Sequence, residues 1–177
     1  MKINSLGNFF MLALFVLLSI NCSSSDDSDS DVFGSIQLSG TDTSLIGTAL
    51  VVGNIDSDAL DTTGTSSSVV LLDKNTTIEN GELESSDYAN AFIIVAAQFD
   101  ADDNASAEKT ISMTILKNGV EYRYVCATPA ISAANNTDCG SGFSVDKVNK
   151  QVIFSNTTVI NVDNETILTM DGIINYD

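Results

Sequence analysis

The chain has 177 residues, 24 acidic and 7 basic, for a formal net charge of −17, and it contains neither histidine nor tryptophan. Without histidine, no Ser-His-Asp or Cys-His nucleophile can be assembled, and no His-ligated zinc, copper or non-haem iron site can be built. So anionic a chain, with no nucleic-acid-binding motif, would repel a phosphate backbone, which argues against nucleic acid as a partner.

Residues 1–21 read as a secretory signal peptide. Lys2 is followed by a short polar stretch and then by FFMLALFVLLSI, Phe9 to Ile20, an apolar run of 12 interrupted only by Ser19. A membrane span needs about 20 apolar residues, so this run is the core of a signal and not an anchor. Cys22 comes next but one. Ser23 to Asp31, SSSDDSDSD, is low in hydrophobicity and self-repelling, which suits an extended, disordered spacer. Apolar run, cysteine and acidic spacer together resemble the export segment of Gram-negative bacterial lipoproteins, although Ser19 and Asn21 stand where that segment more often has Leu and a small residue. The resemblance covers residues 1–31. It implies acylation of Cys22, a lipid anchor in the outer membrane, and exposure at the cell surface.

Residues 32–177 form one domain, large enough to bury roughly 68% of the surface of its extended chain. Val32 to Ser39 alternates, with Val32, Ile36 and Leu38 on one side, and predicts a first strand. Ser44 to Ile55, SLIGTALVVGNI, is more evenly apolar and predicts a strand covered on both faces, with Gly47 and Gly53 marking a bulge or a close backbone approach. The short-side-chained acidic stretch from Asp56 to Ser68 predicts an exposed loop. Val69 to Leu72 is a compact strand, and TTIENGELE places Asn80-Gly81 as a hairpin turn that pairs Ile78 with Leu83 and sets Glu79 against Glu82. Ala91 to Phe99 is the most apolar stretch of the domain. Its run of Phe92, Ile93, Ile94 and Val95 favours a central strand over a helix.

Thr110 to Cys126, TISMTILKNGVEYRYVC, carries the firmest register. Asn118-Gly119 fits the two positive-φ positions of a type I′ turn. Ile115 then faces Tyr122, Met113 faces Tyr124 and Ile111 faces Cys126 on a dry face, with Leu116–Glu121, Thr114–Arg123 and Ser112–Val125 on the other. With Cys22 assigned to lipid, Cys126 and Cys139 remain for a disulfide closing a small-residue loop. At the end of the chain, a three-residue loop at Asp163, Asn164 and Glu165 puts Val152, Phe154, Ile160 and Val162 on one face with Leu168, Met170, Ile174 and Tyr176.

Candidate sites are few. Asp100, Asp102 and Asn104 space oxygen ligands as at the start of a calcium loop, but Ala105 and Ile111 stand where the turn glycine and the bidentate Glu belong, so any calcium there is bound weakly. The fold expected is all-β: an antiparallel β-sandwich of about eight strands, or alternatively a closed β-barrel. The function expected is a non-enzymatic binding or structural module at the cell surface, held to the membrane by lipid and with an envelope protein or glycan as partner. A small-ligand carrier with a barrel cavity and a carboxylate-dependent glycan hydrolase are the alternatives.

Overall fold

The computed structural model describes residues 32–57, 67–99, 107–131 and 136–177. The acylation candidate Cys22, the loop around Asp61 and the calcium candidates Asp100, Asp102 and Asn104 lie outside the described residues. The elements are β1 (Gly34–Gly40), α1 (Thr43–Ile46), β2 (Ala49–Val52), β3 (Asn54–Asp56), β4 (Ser67–Leu72), β5 (Thr76–Glu79) and β6 (Glu82–Ser85). They continue with β7 (Asn90–Gln98), β8 (Lys109–Lys117), β9 (Val120–Thr128), β10 (Ser144–Asp146), β11 (Gln151–Asn161) and β12 (Ile167–Asn175). No helix among them is long and apolar enough to cross a membrane.

The main sheet runs β2-β1-β12-β11-β9-β8-β7-β4-β3, antiparallel throughout, with β10 added beside β11. Its two end strands, β2 and β3, are successive halves of one run that changes partner at Gly53. Phe33 N donates to Val52 O on one side of this corner, and Gly53 N donates to Leu72 O on the other, both at 3.0 Å. The path therefore comes back on itself as an up-and-down barrel, with β12 beside β1. The expectation of an antiparallel all-β domain is met, and the course of the sheet is that of the barrel form.

Alternation decides which side chains face in. Ile36 and Leu38 of β1, Ile94 and Ala96 of β7, Ile111 and Met113 of β8 and Leu168 and Met170 of β12 are buried in one core. Ser35, Gln37 and Ser39 of β1 and Glu121 and Arg123 of β9 face out. A dry interior and a largely wet exterior are the reverse of a membrane-spanning barrel, which is apolar outside.

The hairpin of β8 and β9 has the register read from Asn118-Gly119, residue for residue, and both turn residues take positive φ, 51° and 76°. The β5–β6 hairpin also pairs Ile78 with Leu83 and Glu79 with Glu82. It lies against the outer wall, where Leu83 and Tyr88 face Ile93 and Leu116 across a small dry crevice. Cys126 and Cys139 are joined, with Cα atoms 5.1 Å apart. The segment after Cys139 turns into the barrel: Phe143 is fully buried and stacks on Phe154 with ring centroids 5.8 Å apart. Lys109 Nζ donates to Phe143 O (2.7 Å) and Val145 N donates to Gln98 Oε1 (3.1 Å), so the end where β7 finishes and β8 begins is plugged.

Four readings are corrected. Val32 is 56% exposed and precedes the first strand, because Gly34, at φ 153°, breaks the alternation before it begins. The run from Ser44 is not one strand covered on both faces. Its start is one helical turn, α1, ended at Gly47, and Ala49 and Val51 of β2 face outward. In β11 the ladder shifts between Phe154 and Thr157, where Asn156 sits at φ 48°. This bulge reverses the facing, so Val159 and Asn161 point in where Ile160 and Val162 were expected. The loop after it is also one residue longer than expected: Asn161 N bonds Thr166 O, and Glu165 takes the left-handed position at φ 61°.

Candidate functional site

The ladder of β4 with β3 ends at the pair Leu72 and Asn54, and β4 goes no further. Val52 and the residues before it pair with β1 on one edge and, among the described residues, meet no strand on the other. Between that open edge and the adjoining ends of β7 and β8 lies a recess of about 510 Å³. Its floor is made of the flanks of core residues Ile46, Leu50, Phe92 and Ile115, and Val32 and Val51 stand at its edge. The gap persists because the chain leaving β4 is pinned aside. Asp73 Oδ1 accepts from Asn75 N (2.7 Å), and Oδ2 accepts from Thr76 Oγ1 (2.8 Å) and Phe92 N (3.0 Å). Asn54 Nδ2 donates to Asp73 O (3.1 Å) and Thr76 O (2.9 Å).

Asp73 is the recess's carboxylate, and its oxygens are taken up by these bonds. Lys74 and Lys117 line the same recess. Neither has an acidic partner among the described residues, whereas Arg123, on the outer wall, is held by Asp163 at 3.0 Å and Glu121 at 3.7 Å.

A second polar cluster lies inside the barrel. Asp42 is 3% exposed, and its Oδ2 accepts from Tyr124 Oη (2.8 Å), Thr166 Oγ1 (2.6 Å) and Asn161 Nδ2 (3.2 Å). Burial opposes its ionisation, but the bonds from Thr166, Tyr124 and Asn161 outweigh burial and hold the carboxyl below its usual range. The Tyr124 phenol is pushed well up, by burial first and by Asp42 second. The cluster ties the turn after β1 to β9 and to the β11–β12 loop. Three side chains from distant segments donate to the one oxygen, so the cluster locks the structure.

No family model, curated protein or solved structure matches this chain. The chemistry open to the recess follows from its own geometry. Glycoside hydrolysis by paired carboxylates needs two carboxyls about 5 to 9.5 Å apart, and among the described residues Asp73 is the one carboxylate lining the recess. Among the described residues no group of three acidic or thiol side chains is placed to hold a metal. What the recess combines is an apolar floor with Asn75, Asn90, Lys74 and Lys117 around it.

Of the residues singled out from sequence, the structure brings Cys126 and Cys139 together. Lys74, Lys117 and Asp73 had no sequence signal as site residues. Their only mark is position, Lys74 and Asp73 just past the end of a strand and Lys117 just before the Asn118-Gly119 turn.

Proposed function

We propose that the chain is a lipid-tethered, non-enzymatic binding module of the outer membrane, exposed at the cell surface, whose ligand seats in the recess beside β2. The recess carries this reading: about 510 Å³ with an apolar floor and a few polar groups at its edge has the size and lining of a small-molecule site. A carrier holding its ligand at the centre of the barrel is less well supported, because Tyr124, Phe143 and Phe154 fill that space. An envelope protein or glycan would reach the recess through a protruding side chain or a terminal sugar. Val32, where the acidic spacer joins the domain, lines the recess. Nine residues of spacer, from Ser23 to Asp31, extend at most about 30 Å, so acylation at Cys22 would keep the site within that distance of the bilayer.

Two measurements test the reading. Mass spectrometry of the protein from its host membranes is expected to find acyl chains on Cys22, and an unmodified Cys22 would refute the tether. Thermal-shift screening of small amphiphiles against the protein and an Ala49→Trp variant, which fills the recess from β2, is expected to find ligands that stabilise the first and not the second. A screen in which both respond alike refutes the site.

A further inference from the structure

We infer that the recess beside β2 selects a small monoanionic amphiphile, its apolar body on the floor and its carboxylate between Lys74 and Lys117. The inference rests on the binding reading above and adds the chemical class of the ligand. From Val32 onward the chain has twenty acidic and six basic residues, yet two of those six line this one recess. The other cations whose contacts are described are spent elsewhere: Lys109 on the Phe143 carbonyl and Arg123 on Glu121 and Asp163. Among the described residues Lys74 and Lys117 have no such partner, so their charge is available to a ligand.

The recess's own acid does not cancel them. Asp73 is 9% exposed and saturated by Asn75 N, Thr76 Oγ1 and Phe92 N, so its oxygens are aimed at the protein. The Asn75 side chain adds an amide at the edge. Ile46, Leu50, Phe92 and Ile115 beneath present only hydrocarbon, which no inorganic anion would use.

The surrounding charge sets the ligand's valence. A strongly anionic surface repels anions over a Debye length, about 8 to 10 Å in physiological salt, and that repulsion grows with each added ligand charge. A single carboxylate is drawn to the two lysines that line the recess and meets little net repulsion on approach, whereas a polyphosphate or nucleotide is turned away. Salt screens the repulsion as well as the attraction, so affinity for the monoanion should fall little as salt is raised.

Octanoate, 1-octanol and octylammonium share one apolar chain and differ in charge. Isothermal titration of each into the full chain, the Lys74→Gln/Lys117→Gln double variant and the Ala49→Trp variant tests the inference. Octanoate is expected to bind about tenfold or more tighter than the other two, to lose that advantage in the double variant, and to lose binding altogether in Ala49→Trp. If octanol or octylammonium binds as well as octanoate and Ala49→Trp abolishes both, the charge selection is wrong and the binding reading stands. If none of the three binds, or Ala49→Trp changes nothing, both are wrong. The glutamines replace exposed or half-exposed lysines, and an unchanged melting temperature confirms that the double variant is folded.

Discussion

Replacing Asp42 tests whether the cluster inside the barrel is a lock. In Asp42→Ala, Tyr124 Oη and Asn161 Nδ2 lose their acceptor in positions 0% and 2% exposed. Thr166 keeps an alternative in Asn164 Oδ1, at 2.6 Å. A buried donor left without a partner costs about 1–3 kcal/mol, so two such donors put the loss at about 2–6 kcal/mol, a large part of the roughly 5–15 kcal/mol that a domain has. Asp42→Asn keeps an oxygen but not the charge, and should cost less, about 2–3 kcal/mol. The acid side gives an independent check. Because the Asp42 carboxyl is held below its ordinary value of 3.8 in the fold, its contribution is fully present above that value and is lost as the pH falls through the folded value. Urea unfolding at pH 7 and near pH 3 should therefore show the gap between the native protein and Asp42→Asn narrowing in acid. A loss below about 1 kcal/mol for Asp42→Ala, or a gap that does not change with pH, would refute the argument. In a double-mutant cycle, Tyr124→Phe should recover part of the cost of Asp42→Ala by removing one stranded donor.

Gly53→Ala should lower stability by about 1–3 kcal/mol, because its Cβ would stand 2.5 Å from Lys74 Cα and 2.8 Å from Lys74 N; a thermal melt equal to that of the native protein refutes the close approach. Reducing the bridge between Cys126 and Cys139, which are 13 residues apart, should cost about 3 kcal/mol in the chain-entropy account, read as a lower urea midpoint in dithiothreitol, and a midpoint that does not move would show that the plug holds without it. Glu82→Lys turns the like-charged pair facing Glu79 into an attractive one and should stabilise the hairpin by about 0.2–1 kcal/mol, detectable as slower amide exchange at Thr77 and Glu84; faster exchange would contradict it.

Where side chains alternate without interruption and a turn names its own residues, the sequence could be read down to the pairing. Asn118-Gly119 did this for β8 and β9, and Asn80-Gly81 did it for β5 and β6. The reading failed where local choice is degenerate. Ser155, Asn156, Thr157 and Thr158 are small and polar, fit either face, and so hide the residue that the bulge inserts in β11. Asp42, Thr43 and Ser44 could as well have begun a strand as the turn of helix that Gly47 ends. The recess was hidden for a different reason. It exists because Leu72 ends β4 early and β2 turns to another partner at Gly53. These relations between distant segments leave no periodic trace near Lys74 or Lys117.

The last strand finishes where the first begins: Gly34 lies against Ile173 and Ile174, continuing the register that pairs Gln37 with Asp171. The two extremities of the domain are therefore neighbours, and a short linker from Asp177 to Val32 could join them. A circularly permuted gene opened between Asn118 and Gly119 would preserve the pairing of every stave with its neighbours except at that single turn. A reporter fused after Asp177 would emerge beside the point where the acidic spacer joins the domain.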